Sequence, residues 1–287
     1  MKNISLIVAQ SDLGVNVDGA DKGPGKLIKS INTESVCKTY EIKKTDIAKE
    51  KEKENKEKNL KPVNVFNEKL YNTVEKVLDD GQVPLTLGGD HSIAIASALA
   101  SINKNENLGI IWFDAHGDFN TFETTETGNI HGLPLAVATG YERKKLAEFH
   151  NGEFFSYKNT VIVGARDVDN LEWVNLENAG VTVFTTEDIK KEGAATITKK
   201  AIEIATNGTN GMHISFDIDL IDPRIAPGVS VPAINGIDEY DAYKIVDEFL
   251  KYENKIKSID VVEFNPQRDI DEKTEKIALN IIEKIIK

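Results

Sequence analysis

The chain has 287 residues, 40% of them hydrophobic, and its 47 acidic against 35 basic side chains leave a net charge of −12. That apolar share supports a sizeable core and argues against global disorder. The negative charge argues against nucleic acid and anionic membrane as partners, since both are polyanions, and is compatible with a cationic substrate.

No stretch approaches the ~20 apolar residues that span a bilayer, and Met1–Ser5 leads into a short apolar segment with no cleavage-like region. The single cysteine, Cys37, excludes an intrachain disulfide. The chain therefore reads as a cytoplasmic protein. Its length is within reach of one large α/β domain spanning residues 1–287.

Short apolar runs predict strands at Ile4–Val8, Val36–Tyr40, Val83–Leu87, Ile110–Phe113, Val161–Val163, Val181–Phe184, His213–Phe216 and Ile259–Val262. Several are continuous rather than alternating, as in strands buried on both faces of a parallel sheet. Cys37, inside the second run and without an acid–base partner nearby, is expected to be a buried structural thiol. From Lys49 to Lys58 every residue except Asn55 is Lys or Glu, a mixed-sign run that reads as a solvated helix or loop. Leu70, Val74, Val77 and Leu78 share one helical face, with Gly81 placed to end the helix. Ile277, Ile281, Ile282 and Ile285 repeat that spacing in a C-terminal helix. No internal repeat and no Pro/Gly/Ser-rich linker divides the chain. Strands alternating with helices mean a layered α/β sheet, either doubly wound or closed into a barrel.

Three clusters of metal-ligand type follow predicted strands: Gly88-Gly89-Asp90-His91-Ser92, Asp114-Ala115-His116-Gly117-Asp118 and Asp217-Ile218-Asp219. Ligands of open α/β sheets bind just outside the carboxyl ends of strands, so the three could converge on one crevice. Alternate residues of an extended segment point the same way. Asp114, His116 and Asp118 thus form one ligand row, Asp217 and Asp219 a second, and His91 adds a sixth group. Four carboxylates in one pocket repel each other unless cations neutralise them, and two divalent ions would cancel the charge. Carboxylate-rich, thiolate-free ligation suits a hard ion such as Mn²⁺.

These motifs, in this order and spacing, resemble the ureohydrolase superfamily of arginases, agmatinases and formimidoylglutamases. The resemblance runs from Gly14 and Gly23-Pro24 to the C-terminal helix. It implies a three-layer α/β/α fold with a parallel eight-stranded sheet and two Mn²⁺ per chain. By the same resemblance His91, Asp114, Asp118 and Asp217 would bind one ion, and Asp114, His116, Asp217 and Asp219 the other. The segment Asn120–His131 is similar to the arginase loop that holds the amino-acid end of L-arginine. That likeness assigns Asn120, Thr127 and Asn129 to the α-carboxylate and Asp169 to the α-amino group. Asp169 reads nearly as well as the N-cap of a helix starting near Asn170, and the two roles are compatible.

The resemblance further implies that His131 shuttles a proton, that Asp118 carries one to the leaving nitrogen, and that Glu263 pairs with the guanidinium. His150 and His213, with no motif around them, read as structural. The expected reaction is hydrolysis of L-arginine to L-ornithine and urea by a metal-bridging hydroxide, in a homo-oligomer (trimer or hexamer). One departure stands out: Val229-Ser230-Val231-Pro232 replaces the Thr-Gly-Thr-Pro of many arginases and is closer to formimidoylglutamases. Formimidoylglutamate is therefore the alternative substrate and agmatine the third.

Overall fold

A computed structural model describes the whole chain except Lys2, Asp46, Ala48, residues 50–56 and Lys144. Most of the Lys/Glu-rich run therefore lies outside the described residues. The strands are β1 (Ile4–Gln10), β2 (Thr39–Lys43), β3 (Val83–Gly88), β4 (Gly109–Phe113), β5 (Thr160–Ala165), β6 (Thr182–Thr185), β7 (Met212–Asp217) and β8 (Ile256–Val262). The helices are α1 (Lys22–Leu27), α2 (Leu60–Asp79), α3 (Ala94–Asn105), α4 (Pro134–Ala138), α5 (Asn170–Ala179), α6 (Thr186–Glu192), α7 (Ala194–Ala205), α8 (Glu239–Leu250) and α9 (Lys273–Ile286).

All eight strands join one parallel sheet in the order β2-β1-β3-β8-β7-β4-β5-β6, with β2 and β6 at its edges. The sheet is open, so the barrel alternative is excluded. Strand alternation sends side chains to two separate cores. Leu6, Leu87, Phe113 and Phe216 face one side with apolar residues of α1, α7, α8 and α9. Ile7, Ala9, Ile110 and Trp112 face the other with α2, α3 and α4. The result is the expected three-layer α/β/α arrangement.

The predicted helix faces hold. In α2, Leu70, Val74 and Val77 are buried and Leu78 is half-buried against the same core, and Gly81 ends the helix in left-handed backbone (φ +72°), its N–H donating to Leu78 O. In α9, Ile277, Ile281, Ile282 and Ile285 are buried.

Two expectations fail at the sheet edge. The second strand begins at Thr39, three residues later than predicted, and alternates between exposed and half-buried side chains. Cys37 is exposed, not buried. The common reason is that β2 pairs on one side only, with β1, so its apolar content is low and weakly periodic.

Candidate functional site

The inner strands β3, β8, β7 and β4 end together, and each delivers polar side chains to the same place. Beyond β3 the chain turns sharply, and Gly89 is required there because a Cβ would lie 1.7 Å from Ser11 O. A one-turn 3₁₀ segment, His91–Ile93, follows, capped by Asp90, whose side chain accepts the Ser92 N–H. β4 leads into Asp114–Asp118, and β7 ends on Asp217 before the 3₁₀ turn Ile218–Leu220.

All six predicted ligand residues converge. His91 Nδ1 lies 3.0 Å from one oxygen each of Asp114, Asp118 and Asp217. His116 Nδ1 is 3.1 Å from Asp219 Oδ2 and 3.4 Å from Asp114 Oδ1. Among the described residues two groups could hold a cation: His91, Asp114 and Asp118, and Asp114, His116 and Asp219. Asp114 belongs to both, and Asp217 faces the first.

One ring N–H cannot serve three carboxylates. His91 Nδ1 and Asp118 Oδ2 are in fact buried without hydrogen-bond partners. Nitrogen and oxygen donors left unpaired around a common centre are what a divalent cation satisfies, so the residues fit the group that their pattern implies.

The electrostatics agree. Burial pushes Asp118 up to about 6, with the Asp114 charge adding to it. Burial, with Asp219 and Asp114 nearby, drives Asp217 well above the carboxylate range, and burial also raises Asp219. Burial opposes charge on His91, but the three surrounding carboxylates outweigh it and hold the imidazole well above its usual value. Without cations the cluster therefore compensates by taking up protons.

Neighbouring side chains hold these ligands in place. Trp112 donates Nε1–H to Asp114 Oδ2 (2.9 Å), and its ring stacks on His91 at 4.1 Å. His91 Nε2 is 2.8 Å from Ser215 Oγ, which leaves Nδ1 for the cluster. Arg166 fixes the Asp219 turn from below, donating Nη2–H to Asp219 O at 2.7 Å.

Asp118 (φ +49°) and Glu263 (φ +67°) adopt left-handed backbone, a strain on the order of 1 kcal/mol each. Phe119 N–H to Glu172 Oε1 (2.7 Å) and Glu263 N–H to Gly89 O (2.8 Å) hold the two turns.

A cavity of about 170 Å³ opens over the cluster. At its inner end Glu263 Oε1 accepts the His91 N–H (2.8 Å) and lies 3.1 Å from His131 Nδ1. The other oxygen, Oε2, is buried without a partner. His131 is raised, because pairing with Glu263 overcomes the effect of burial, and the same pairing lowers Glu263.

Elsewhere the cavity is lined by Asn120, Thr127 and Asp169. Asn120 Nδ2 donates to Asp169 Oδ2 at 3.0 Å. Asp169 is also the residue before α5, and its N–H donates to Glu172 Oε2 (3.2 Å), so the helix-start reading and the cavity position coexist. Asn129 does not line the cavity; it is half-buried, with its N–H on Thr127 Oγ1. His150 pairs with Tyr71 and His213 with Asp260, both away from the cavity.

Sequence reasoning passed over Thr125 and Glu172 in the lining, and Trp112, Ser215 and Arg166 behind it. Three of these carried a usable signal. Trp112 and Ser215 each precede a ligand aspartate by two residues and so share its face of the strand. Glu172 stands three residues after Asp169, the spacing of a helix capping box.

The model of the arginase family matches residues 2–287. The arginase of Bacillus subtilis (strain 168) is 36% identical over 292 residues, covering 99% of this chain and 98% of that protein. The solved arginase of Bacillus caldovelox has a TM-score of 0.91 at 32% identity, covering 100% of this chain and 98% of its own. An Entamoeba histolytica arginase solved in complex with L-ornithine has a TM-score of 0.88 at 30% identity, covering 99% and 97%.

Proposed function

The chain belongs to the arginase family, and from that premise we propose that it hydrolyses L-arginine to L-ornithine and urea with two Mn²⁺ per chain. The observation that carries this reading is one cavity joining a two-cation ligand cluster to a buried carboxylate, Glu263, and to the polar residues Asn120, Thr127 and Asp169. The relatives named above are arginases, one of them solved with L-ornithine.

His91, Asp114, Asp118 and Asp217 would hold one ion, and Asp114, His116, Asp217 and Asp219 the other. Two divalent cations there supply the Lewis acidity that makes water nucleophilic at neutral pH. The unpartnered Oε2 of Glu263 accepts a guanidinium N–H, since a carboxylate is the natural partner of a planar cation. Asp118 moves a proton to the departing ornithine nitrogen. His131, held by Glu263 and partly open to the cavity, passes a proton between solvent and the site.

Asn120 and Thr127 donate hydrogen bonds to the α-carboxylate, and Asp169 receives the α-ammonium. Asn129, outside the lining, reaches the carboxylate only through water. Agmatine lacks a carboxylate and would leave these donors unused. The protein acts as a cytoplasmic homo-oligomer, each chain folding as one domain over residues 1–287.

The test is a substrate panel with Mn²⁺-loaded protein: urea from L-arginine and from agmatine, and formamide from formimidoylglutamate. Arginine should be turned over with by far the highest kcat/KM. A preference for agmatine or formimidoylglutamate would overturn the assignment.

A further inference from the structure

Val231 is the one aliphatic side chain among the described residues lining the cavity; apart from Gly132, every other lining residue can donate or accept a hydrogen bond. Its position is fixed on both sides. Before it, Val229 bridges to Phe264 in antiparallel fashion, and Asn265 donates N–H to Gly228 O (2.7 Å) and Nδ2–H to Ser230 Oγ (3.3 Å). After it, Arg166 holds Ala233 O (2.9 Å) with the same Nη2 that holds Asp219 O (2.7 Å). Val231 is thus suspended between the residues next to Glu263 and those next to Asp219, and both of these side chains line the same cavity.

A guanidinium presents N–H groups around its whole edge. Glu263 can take those on its own side, but an N–H directed at Val231 meets methyl groups and stays unpaired. A carbon substituent at that place meets only apolar contact. Resting on the arginine reading above, we infer that Val231 determines specificity and extends the reaction to amidines in which a carbon group replaces one terminal amino group.

For Nδ-acetimidoyl-L-ornithine, the water oxygen bonds to the amidine carbon and the bond from that carbon to the δ-nitrogen breaks, its electron pair staying on nitrogen. Both water protons end on that nitrogen. The products are ornithine, with its ammonium charge, and neutral acetamide.

The experiment follows ornithine, the common product, from L-arginine and from Nδ-acetimidoyl-L-ornithine with the Mn²⁺-loaded full chain, and confirms acetamide by NMR. Wild-type kcat/KM for the amidine should lie within about tenfold of that for arginine, the range that one missing hydrogen bond spans. V231T keeps the shape and adds a hydroxyl, and should shift the ratio toward arginine by about tenfold. V231A stays apolar and should keep the wild-type ratio within about threefold.

Arginine turnover with amidine turnover more than about a hundredfold weaker overturns the inference alone, and that comparison needs no variant. An unmoved ratio in folded V231T does the same. Turnover of neither compound by folded, metal-loaded protein overturns the arginine reading and the inference with it.

Discussion

Replacing Arg166 by methionine removes a guanidinium while keeping an unbranched apolar stem. Five hydrogen bonds to main-chain carbonyls disappear: Nε to Ile234 (3.1 Å), Nη1 to Leu220 (3.1 Å) and, at its longest, Gly164 (3.5 Å), and Nη2 to Asp219 (2.7 Å) and Ala233 (2.9 Å). Hydrogen bonds to charged groups contribute about 1.5–3 kcal/mol each, but the sum overstates the loss. Ile234 is 71% exposed, so its carbonyl regains water, and Arg166 itself is only half-buried. A destabilisation of about 3–5 kcal/mol is expected, at the large end for single substitutions.

Urea unfolding of metal-free protein would measure it, as a lower midpoint at constant slope. Because Arg166 ties the Asp219 turn to the Val231 loop, the variant should also bind its second Mn²⁺ more weakly and show a raised KM for arginine. Lysine at this position cannot reproduce the planar fork and should recover only part of the loss. An unfolding free energy within about 0.5 kcal/mol of the wild type would refute the clamp.

Three further outcomes follow from the site. Asp114→Ala removes the residue common to both candidate cation groups, so elemental analysis should find both Mn²⁺ lost; retention of one tight ion would contradict a shared ligand. His131→Asn should keep both ions and a near-normal Tm yet lower kcat at least about tenfold, as expected for a lost acid–base group; unchanged turnover per metal-loaded site would remove His131 from the proton path. Burial pushes Glu172 up to about 8, so between the ordinary carboxylate range and that value the folded state holds a proton that the unfolded state has released. Stability of the metal-free protein should then fall as pH rises through that window, and Glu172→Gln should reduce the slope by up to about 1.4 kcal/mol per pH unit. Identical slopes in the two proteins would show that Glu172 titrates normally.

Much of this protein is legible in its sequence because its information is local. Inner strands such as Ile110–Phe113 and Val161–Val163 are buried on both faces and stand out as continuous apolar runs. The ligand aspartates and histidines alternate at the ends of such strands, where side-chain direction follows from backbone geometry alone. The edge strand was misplaced, and Cys37 with it, because one-sided pairing leaves only a weak apolar pattern.

What only the tertiary structure decided depends on approach between distant segments. It chose an open sheet over a barrel, since closure rests on whether the first and last strands meet, which no local pattern encodes. It withdrew Asn129 from the cavity lining, although its neighbour two positions earlier, Thr127, reaches it. It gave Arg166 its carbonyl partners in the 218–220 turn and the 233–234 segment. It also set Val231 in the same lining as Asp219 and Glu263, because the strands ending at Asp217 and Val262 are neighbours in the sheet while more than forty residues separate them in the chain.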